Sequence, residues 1–336
     1  MTLAITDVFA AWRWRHRRVL RLSGTLIGGL VLAWFLGWLV IGDDFLPIRW
    51  GAYVAPWLSL LAVLSVALLL GGGQWLRAVL ALLMATIILL PLLPRLDPLR
   101  RDAASRSDDL TILTFNASTL NADFGAVAVL IVREHPDVVF LQQVTDVAAV
   151  RRQISRLSNR ARYAVVPDRT TDVAILSRFP LSGGTGGAGL AAATATIGRC
   201  HVRLLVLHAP HGQFSARGQQ AFFAGAASAL QGEAAPIIAA GDLNSTEFNS
   251  VQAPLRAVLS DAFAQVGSGF GFTFASPVRR FGVFGPTLRI DHIFYRGLEP
   301  VSAAVLHDNA GSDHFPVVAR FRWPPGCGRS ETRNSL

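Results

Sequence analysis

The sequence predicts an α/β domain with covered sheets, preceded by three membrane-spanning helices. Two observations lead there: long uncharged apolar runs crowd the first hundred residues, and short apolar strands alternate with helical stretches after residue 110. Over all 336 residues, 51% are hydrophobic and 16% charged, against roughly 25% charged for an average soluble domain. Such a chain is too apolar to be disordered, and two cysteines exclude a disulfide-built scaffold. All 31 basic residues are Arg, so the net charge of +9 partly reflects coding bias. A basic balance of this size first suggests nucleic-acid binding, and its distribution must decide.

Residues 1–94 form the predicted membrane region. Arg13, Arg15, Arg17, Arg18 and Arg21 stand directly before the uncharged run from Leu22 to Ile41. At about 1.5 Å per helical residue that run reaches roughly 30 Å, the thickness of a bilayer core. Ala52–Leu70 and Ala78–Leu93 repeat the pattern, giving expected spans at 22–41, 52–70 and 76–93; Asp43, Asp44, Arg49 and Arg77 fall in the connections. Buried core helices are the competing reading, but soluble helices keep a polar face and these are apolar all round. A cleaved signal peptide would have a shorter apolar core and a small-residue cleavage site, absent near Val40. Pro91 makes the third run the weakest. Trp38, Trp50, Trp57 and Trp75 stand at the run ends, where interfacial aromatics belong.

Three spans put the two ends of the chain on opposite sides. The leading Arg cluster argues for a cytoplasmic tail, and hence a multi-pass membrane protein with an extracytoplasmic C-terminal domain. Residues 95–109, with Pro98 and a Ser/Arg/Asp mixture, read as a linker. From 110 to 322 strands are expected at 110–116, 137–142, 173–177, 201–209, 236–242, 289–295 and 316–321. Helices are expected at 124–135, 146–158, 217–230 and 249–259. The Gly-rich stretch 182–189 lacks a phosphate-loop Lys and reads as a loop or hairpin tip, and 323–336 as a tail.

Polar residues gather where the apolar strands stop, the place an α/β sheet usually presents a site. They are Asn116, Gln142 with Gln143, His208, Asp242, Asn244, Asp291, and Asp313 with His314. Singly, an Asp or Asn at a strand end makes a turn or caps a helix. Together in one domain they are harder to read as turns.

In order, TFN (114–116), HPDVVFLQQV (135–144), AILSRFPL (174–181), VLHAPHG (206–212), GDLNS (241–245), RIDHIFY (289–295) and SDHFPVVA (312–319) resemble the endonuclease/exonuclease/phosphatase superfamily, the deoxyribonuclease-I-like fold. The resemblance implies a four-layered α/β sandwich and a divalent-metal-dependent phosphoesterase. It implies Asn116, Gln143 and Asp313 around Mg²⁺ or Mn²⁺, and Asp242 orienting or deprotonating a water, with Asn244 fixing the phosphate or Asp242. His208 and His314 would hold the phosphate or protonate the leaving oxygen, and Asp291 would orient His314. Spans ahead of such a domain further resemble the VanJ-type glycopeptide-resistance proteins, which implies antibiotic resistance through the cell envelope.

The sequence departs from the family at one place. Leu141-Gln142-Gln143 stands where the pattern has Leu-Gln-Glu, so an amide replaces the main metal-ligating carboxylate. Three readings follow: an enzyme with weak metal affinity, one that recruits another carboxylate such as Asp146, or a binding protein without catalysis. The leading expectation is a membrane-anchored hydrolase of a phosphate or pyrophosphate ester, such as a lipid-linked cell-wall intermediate. A nuclease is the enzymatic alternative. After residue 100 there are 22 Arg against 18 acids, which is too mildly basic to favour nucleic acid, and the pairs Arg151-Arg152 and Arg279-Arg280 read equally as solvated surface. Oligomeric state and any pairing of Cys200 with Cys327 stay open.

Overall fold

The structure, a computed structural model, describes residues 2–96, 106, 109–118, 123–158, 162–167, 173–187, 189–212, 216–275, 285–323 and 327. Most of the expected linker, the pair Arg279-Arg280 and the tail apart from Trp323 and Cys327 lie outside the described residues. The chain forms two compact units, residues 1–93 with 248–250, and the remainder from 94 onward.

The first unit is helical: α1 (Thr2–Val40), α2 (Leu46–Tyr53), α3 (Ala55–Gly71) and α4 (Trp75–Leu89). Small residues let α1 and α3 approach. A methyl at Gly28 would stand 2.6 Å from Ser65 Oγ, and Ser65 Oγ donates to Gly24 O at 2.8 Å. Arg49 closes the α1–α2 turn by donating to Asp43 O and Asp44 O, both at 2.8 Å.

The expectation of three spans is corrected here. Arg15–Val40, 26 residues containing an 18-residue window of mean hydropathy 1.8, is long and apolar enough to cross a membrane. The run 52–70 is split because Pro56, in the first turn of α3, lacks an N–H, and α2 and α3 meet at 84°. The pair counts as a second span only if taken as one element. Pro91 disfavours helical geometry just before it, so α4 stops at Leu89. Its 15 residues reach only about 22 Å, short of a bilayer core.

The second unit contains β1 (Leu110–Asn116), α5 (Phe124–Glu134), β2 (Val138–Gln142), α6 (Val147–Leu157), β3 (Ala164–Pro167), β4 (Ala174–Ser177), β5 (Leu181–Gly187), β6 (Leu190–Ile197), β7 (Cys200–His208) and α7 (Ala216–Ser228). There follow β8 (Ile237–Asp242), α8 (Ala253–Arg256), β9 (Ser260–Asp261), α9 (Ala262–Val266), β10 (Asp291–Arg296), β11 (Glu299–Val305) and β12 (Val317–Arg322). The strands make two six-stranded sheets, ordered β11-β12-β1-β2-β4-β3 and β5-β6-β7-β8-β10-β9.

The layers follow from strand alternation. Ile112, Val138 and Phe140 point inward to meet Val206, Ile238 and Ile293 of the other sheet. Their neighbours Leu113, Phe115, Val139 and Leu141 point outward beneath α5 and α6. On the second sheet Leu205, Leu207 and Ala239 pack under α7 and α8. Strands covered on both faces must be apolar throughout, which is why these runs carry no polar alternation.

Two expected elements differ. The Gly-rich stretch is mostly not a hairpin tip but the exposed edge strand β5, paired antiparallel with β6. The helix expected over 249–259 shrinks to a 3-10 turn at Ser250–Gln252 and the four-residue α8, whose first turn contains Pro254. Cys200 and Cys327 form a disulfide, with Cα atoms 5.7 Å apart.

Candidate active site

Topology brings the polar residues together. β1 runs parallel to β2, and β7 parallel to β8, so Asn116, Gln142, His208 and Asp242 all end at one rim. β10 runs antiparallel to β8, so its first residue, Asp291, pairs with Asp242. β12 runs antiparallel to β1, and the residues leading into it, Ser312 to His314, return to the same rim.

Asp242 lies at the centre and is buried. Its Oδ2 accepts from Asn116 Nδ2 at 2.9 Å, and its Oδ1 from the Asn244 backbone N–H at 2.8 Å. Two imidazoles flank it: His314 Nε2 stands 3.8 Å and His208 Nε2 3.9 Å from Asp242 Oδ2. Asn244 holds the following turn by donating to Ala209 O at 2.9 Å. Gln219 of α7 secures it from behind, donating to Asn244 O at 2.8 Å.

His314 is clamped at its other nitrogen, where Nδ1–H donates to Asp291 Oδ2 at 2.9 Å. That bond fixes the tautomer and turns Nε2 toward Asp242. Burial works against a charged ring, but Asp291 and Asp242 outweigh it and push His314 up to about 9. Burial likewise pushes the Asp242 carboxyl up, although His314 pulls the other way. The imidazole is therefore cationic at neutral pH.

Gln143, with φ 57, sits in the left-handed region, a costly conformation that clusters at functional sites. Its Nε2 lies 3.4 Å from His208 Nε2, a contact that works when the amide donates to the bare ring nitrogen. Gln142 instead turns inward to Thr114 Oγ1. Asp313 is half-buried and adds its charge to the field raising His314.

The expected catalytic residues Asp242, Asn244, Asp291 and His314 thus share one connected set, with His208 at its edge. Of the expected metal ligands, Asn116 touches Asp242, Gln143 touches His208, and Asp313 adjoins His314. Ligand atoms of Asp242, Asp291 and His314 lie within 4.8 Å of one another. Asp291 Oδ1 is a buried carboxylate oxygen with no hydrogen-bond partner among the described residues. Buried oxygens of this kind call for a cation or proton, and with the oxygen donors of Asn116, Gln143 and Asp313 at the same rim the site fits a hard divalent ion.

Three supporting residues were not singled out from the sequence. Ser312 Oγ donates to Asn116 O at 2.7 Å and accepts from His314 N–H at 3.0 Å, tying two strand ends together. Its signal was its place in the SDH triplet. Thr273 Oγ1 accepts from the N–H groups of Ile290 and Asp291 at 3.2 and 3.3 Å, and Phe274 packs on His314 with ring centroids 4.8 Å apart. Those two stand in a segment without regular structure, where periodicity carries no information.

Residues 113–314 match the sequence model of the Endonuclease/Exonuclease/phosphatase family, more than half of the chain. No curated protein matches the sequence. Among solved structures, a truncated TDP2 of Caenorhabditis elegans is 20% identical, with 64% of this chain and 98% of that one covered at a TM-score of 0.52. D. rerio TDP2 complexed with a single-strand DNA product is 18% identical, covering 64% and 99% at 0.54. A mannosyl-6-phosphatase of Bacteroides thetaiotaomicron is 17% identical, covering 64% and 100% at 0.51. At these identities the likeness is one of fold.

Proposed function

Because the chain belongs to the endonuclease/exonuclease/phosphatase family, we propose that it is a divalent-metal-dependent phosphoesterase working at a membrane. The observation that carries this reading is one imidazole held between two buried carboxylates, with Nδ1 on Asp291 and Nε2 beside Asp242. A phosphate ester repels nucleophiles, so hydrolysis needs positive charge on its non-bridging oxygens, an oriented water and a proton for the leaving oxygen.

The chain's residues divide those tasks. Asp242, held by Asn116 and the Asn244 N–H, takes a proton from water as the new O–P bond forms. The cationic His314 supplies charge to the phosphate and passes its Nε2 proton to the leaving oxygen as the old bond breaks. Asp291 holds the ring in that tautomer, and His208 offers a second contact to the phosphate. Asn116, Gln143 through Oε1, and Asp313 would hold Mg²⁺ or Mn²⁺, which would supply Lewis-acid charge at the phosphate.

The membrane part rests on the uncharged stretch of α1 from Leu22 to Val40 as the anchor, with the Arg cluster in the helical turns before it. The Cys200–Cys327 disulfide supports an extracytoplasmic domain, since such bonds persist in oxidising compartments. Tethering favours a substrate that is itself in the bilayer, such as a lipid-linked phosphate or pyrophosphate of the cell envelope.

The test is hydrolysis by the full chain in detergent, with Mg²⁺ or Mn²⁺, of a polyprenyl pyrophosphate and of DNA. The lipid should be cleaved and His314→Ala should lose at least about 10²-fold in rate. Preference for DNA would make the protein a nuclease. Turnover of neither, with retained phosphate binding, would support a binding protein, which the missing Glu at position 143 favours.

A further inference from the structure

A groove opens in the helical unit, far in sequence from the site described above. α1 approaches α3 through Gly24 and Gly28, where a methyl would lie 2.9 Å from Leu69 Cγ and 2.6 Å from Ser65 Oγ. The next residue, Gly29, is rotated away, and a methyl there would meet nothing within 4 Å. The space beside it is a groove of about 180 Å³, lined by Gly28, Gly29, Leu32, Leu69, Leu80 and Met84. Roughly 150 Å³ of apolar cavity accommodates a benzene ring, so the groove has room for a stretch of hydrocarbon chain.

The groove has one polar end. Arg77 and Thr25 also line it, and Arg77 Nη1 donates to Thr25 Oγ1 at 3.2 Å. Arg77 is exposed, and a guanidinium carries five donors of which this bond uses one. Arg21, Arg18 and Arg17 lie within eight residues before Thr25 on α1, adding positive charge at that end. An apolar trough ending in a guanidinium fork matches an acyl chain joined to a phosphate, since Arg recognises phosphate oxygens in bidentate fashion. Basic pockets between membrane helices on the cytoplasmic side hold anionic head groups for this reason.

We propose that this groove binds one anionic phospholipid, with its phosphate on Arg77 and one acyl chain against Gly29, Leu80 and Met84. The proposal rests on the membrane placement above but not on the catalytic reading. It makes the helical unit a lipid receptor as well as an anchor, one that senses the charge of the surrounding leaflet.

The experiment uses the full chain in mixed detergent micelles containing equal amounts of phosphatidylglycerol and phosphatidylcholine. After gel filtration, the lipid retained is measured by mass spectrometry. The protein should retain phosphatidylglycerol about fivefold over phosphatidylcholine, the ratio expected from one added basic contact. Arg77→Gln should abolish the preference. Gly29→Leu, which fills the groove from a position with free space, should lower retention of both lipids. Arg151→Gln, on the exposed surface of α6 and outside the groove, should keep the preference.

Equal retention of the two lipids would overturn the proposal, as would an Arg151→Gln effect matching that of Arg77→Gln. Flotation with phosphatidylcholine vesicles tests membrane placement separately. A chain that fails to float but keeps an Arg77-dependent preference in micelles would retain the groove and lose the anchor.

Discussion

Gln143 shows how one residue tunes a site without disturbing it. Its backbone is already left-handed, and Glu would occupy that conformation at the same cost, so Gln143→Glu changes charge with little change in strain. A charge pair at about 4 Å is worth up to roughly 4 kcal/mol at an effective dielectric of 20, an upper bound. The variant should bind Mg²⁺ more tightly by calorimetric titration; unchanged affinity would remove position 143 from the metal site. A second residue-scale prediction concerns Asp261, which is buried and accepts from Arg289 Nη2 at 2.6 Å and pairs with His292 Nδ1 at 2.8 Å. Burial pushes its carboxyl up, but Arg289 and His292 outweigh that and hold it far below the usual range. A depressed carboxylate stabilises the fold above its unfolded value near 3.9 and loses that contribution as pH falls below it toward the folded value. Asp261→Asn removes the carboxylate nearest Arg289 and leaves it Glu247 at 3.5 Å, and should cost about 3 kcal/mol, the lower end for a broken buried pair, in urea unfolding at neutral pH. The cost should shrink in acid, and a pH-independent difference would contradict the charge argument.

At the scale of elements, the sequence exposed those parts whose physics is local. Apolar runs located β1, β2, β4, β7, β8, β10 and β12 to within a few residues, and each named site residue stands at or beside one of their ends. Missed were β3, β6, β11 and the two-residue β9, along with the edge strand β5, whose glycines hide any alternation. Membrane spans were overcounted because hydropathy sums ignore where proline restarts a helix, as Pro56 does. Thr273 and Phe274 were invisible because only tertiary pairing brings them beside Asp291 and His314. Gly241 belongs to a motif the sequence did show, and the structure explains it. At φ 154, a methyl there would lie 1.7 Å from Leu207 O on the adjacent β7. Gly241→Ala should therefore separate β7 from β8 beside Asp242, costing about 3 kcal/mol or more with loss of hydrolysis. Unchanged thermal unfolding would show that β7 and β8 need not approach so closely.

For the molecule as a whole, the composition that first suggested a nucleic-acid binder separates into two parts: an Arg-led apolar region and a globular region of only mildly basic balance. For the membrane anchoring proposed above, the disulfide tests which side the globular part occupies. Cys200 begins β7, and Cys327 lies 127 residues further on, after β12 has left the other sheet. The bond closes a loop that contains β7, β8, β10, β11 and β12, so it restricts the unfolded chain over most of the catalytic rim. Disulfides typically contribute about 2–4 kcal/mol, with the chain-entropy account placing long loops at the upper end. Cys327→Ser should thus lower stability by that amount, and dithiothreitol should destabilise the wild type equally while leaving the variant unchanged. The same bond reports location, because cytosolic thiols are kept reduced. In cells expressing the full chain, a maleimide-polyethylene glycol reagent applied after denaturation should label the cysteines only if reductant is added first. Labelling without reductant would place the domain in a reducing compartment, and with it a substrate pool on the cytoplasmic side.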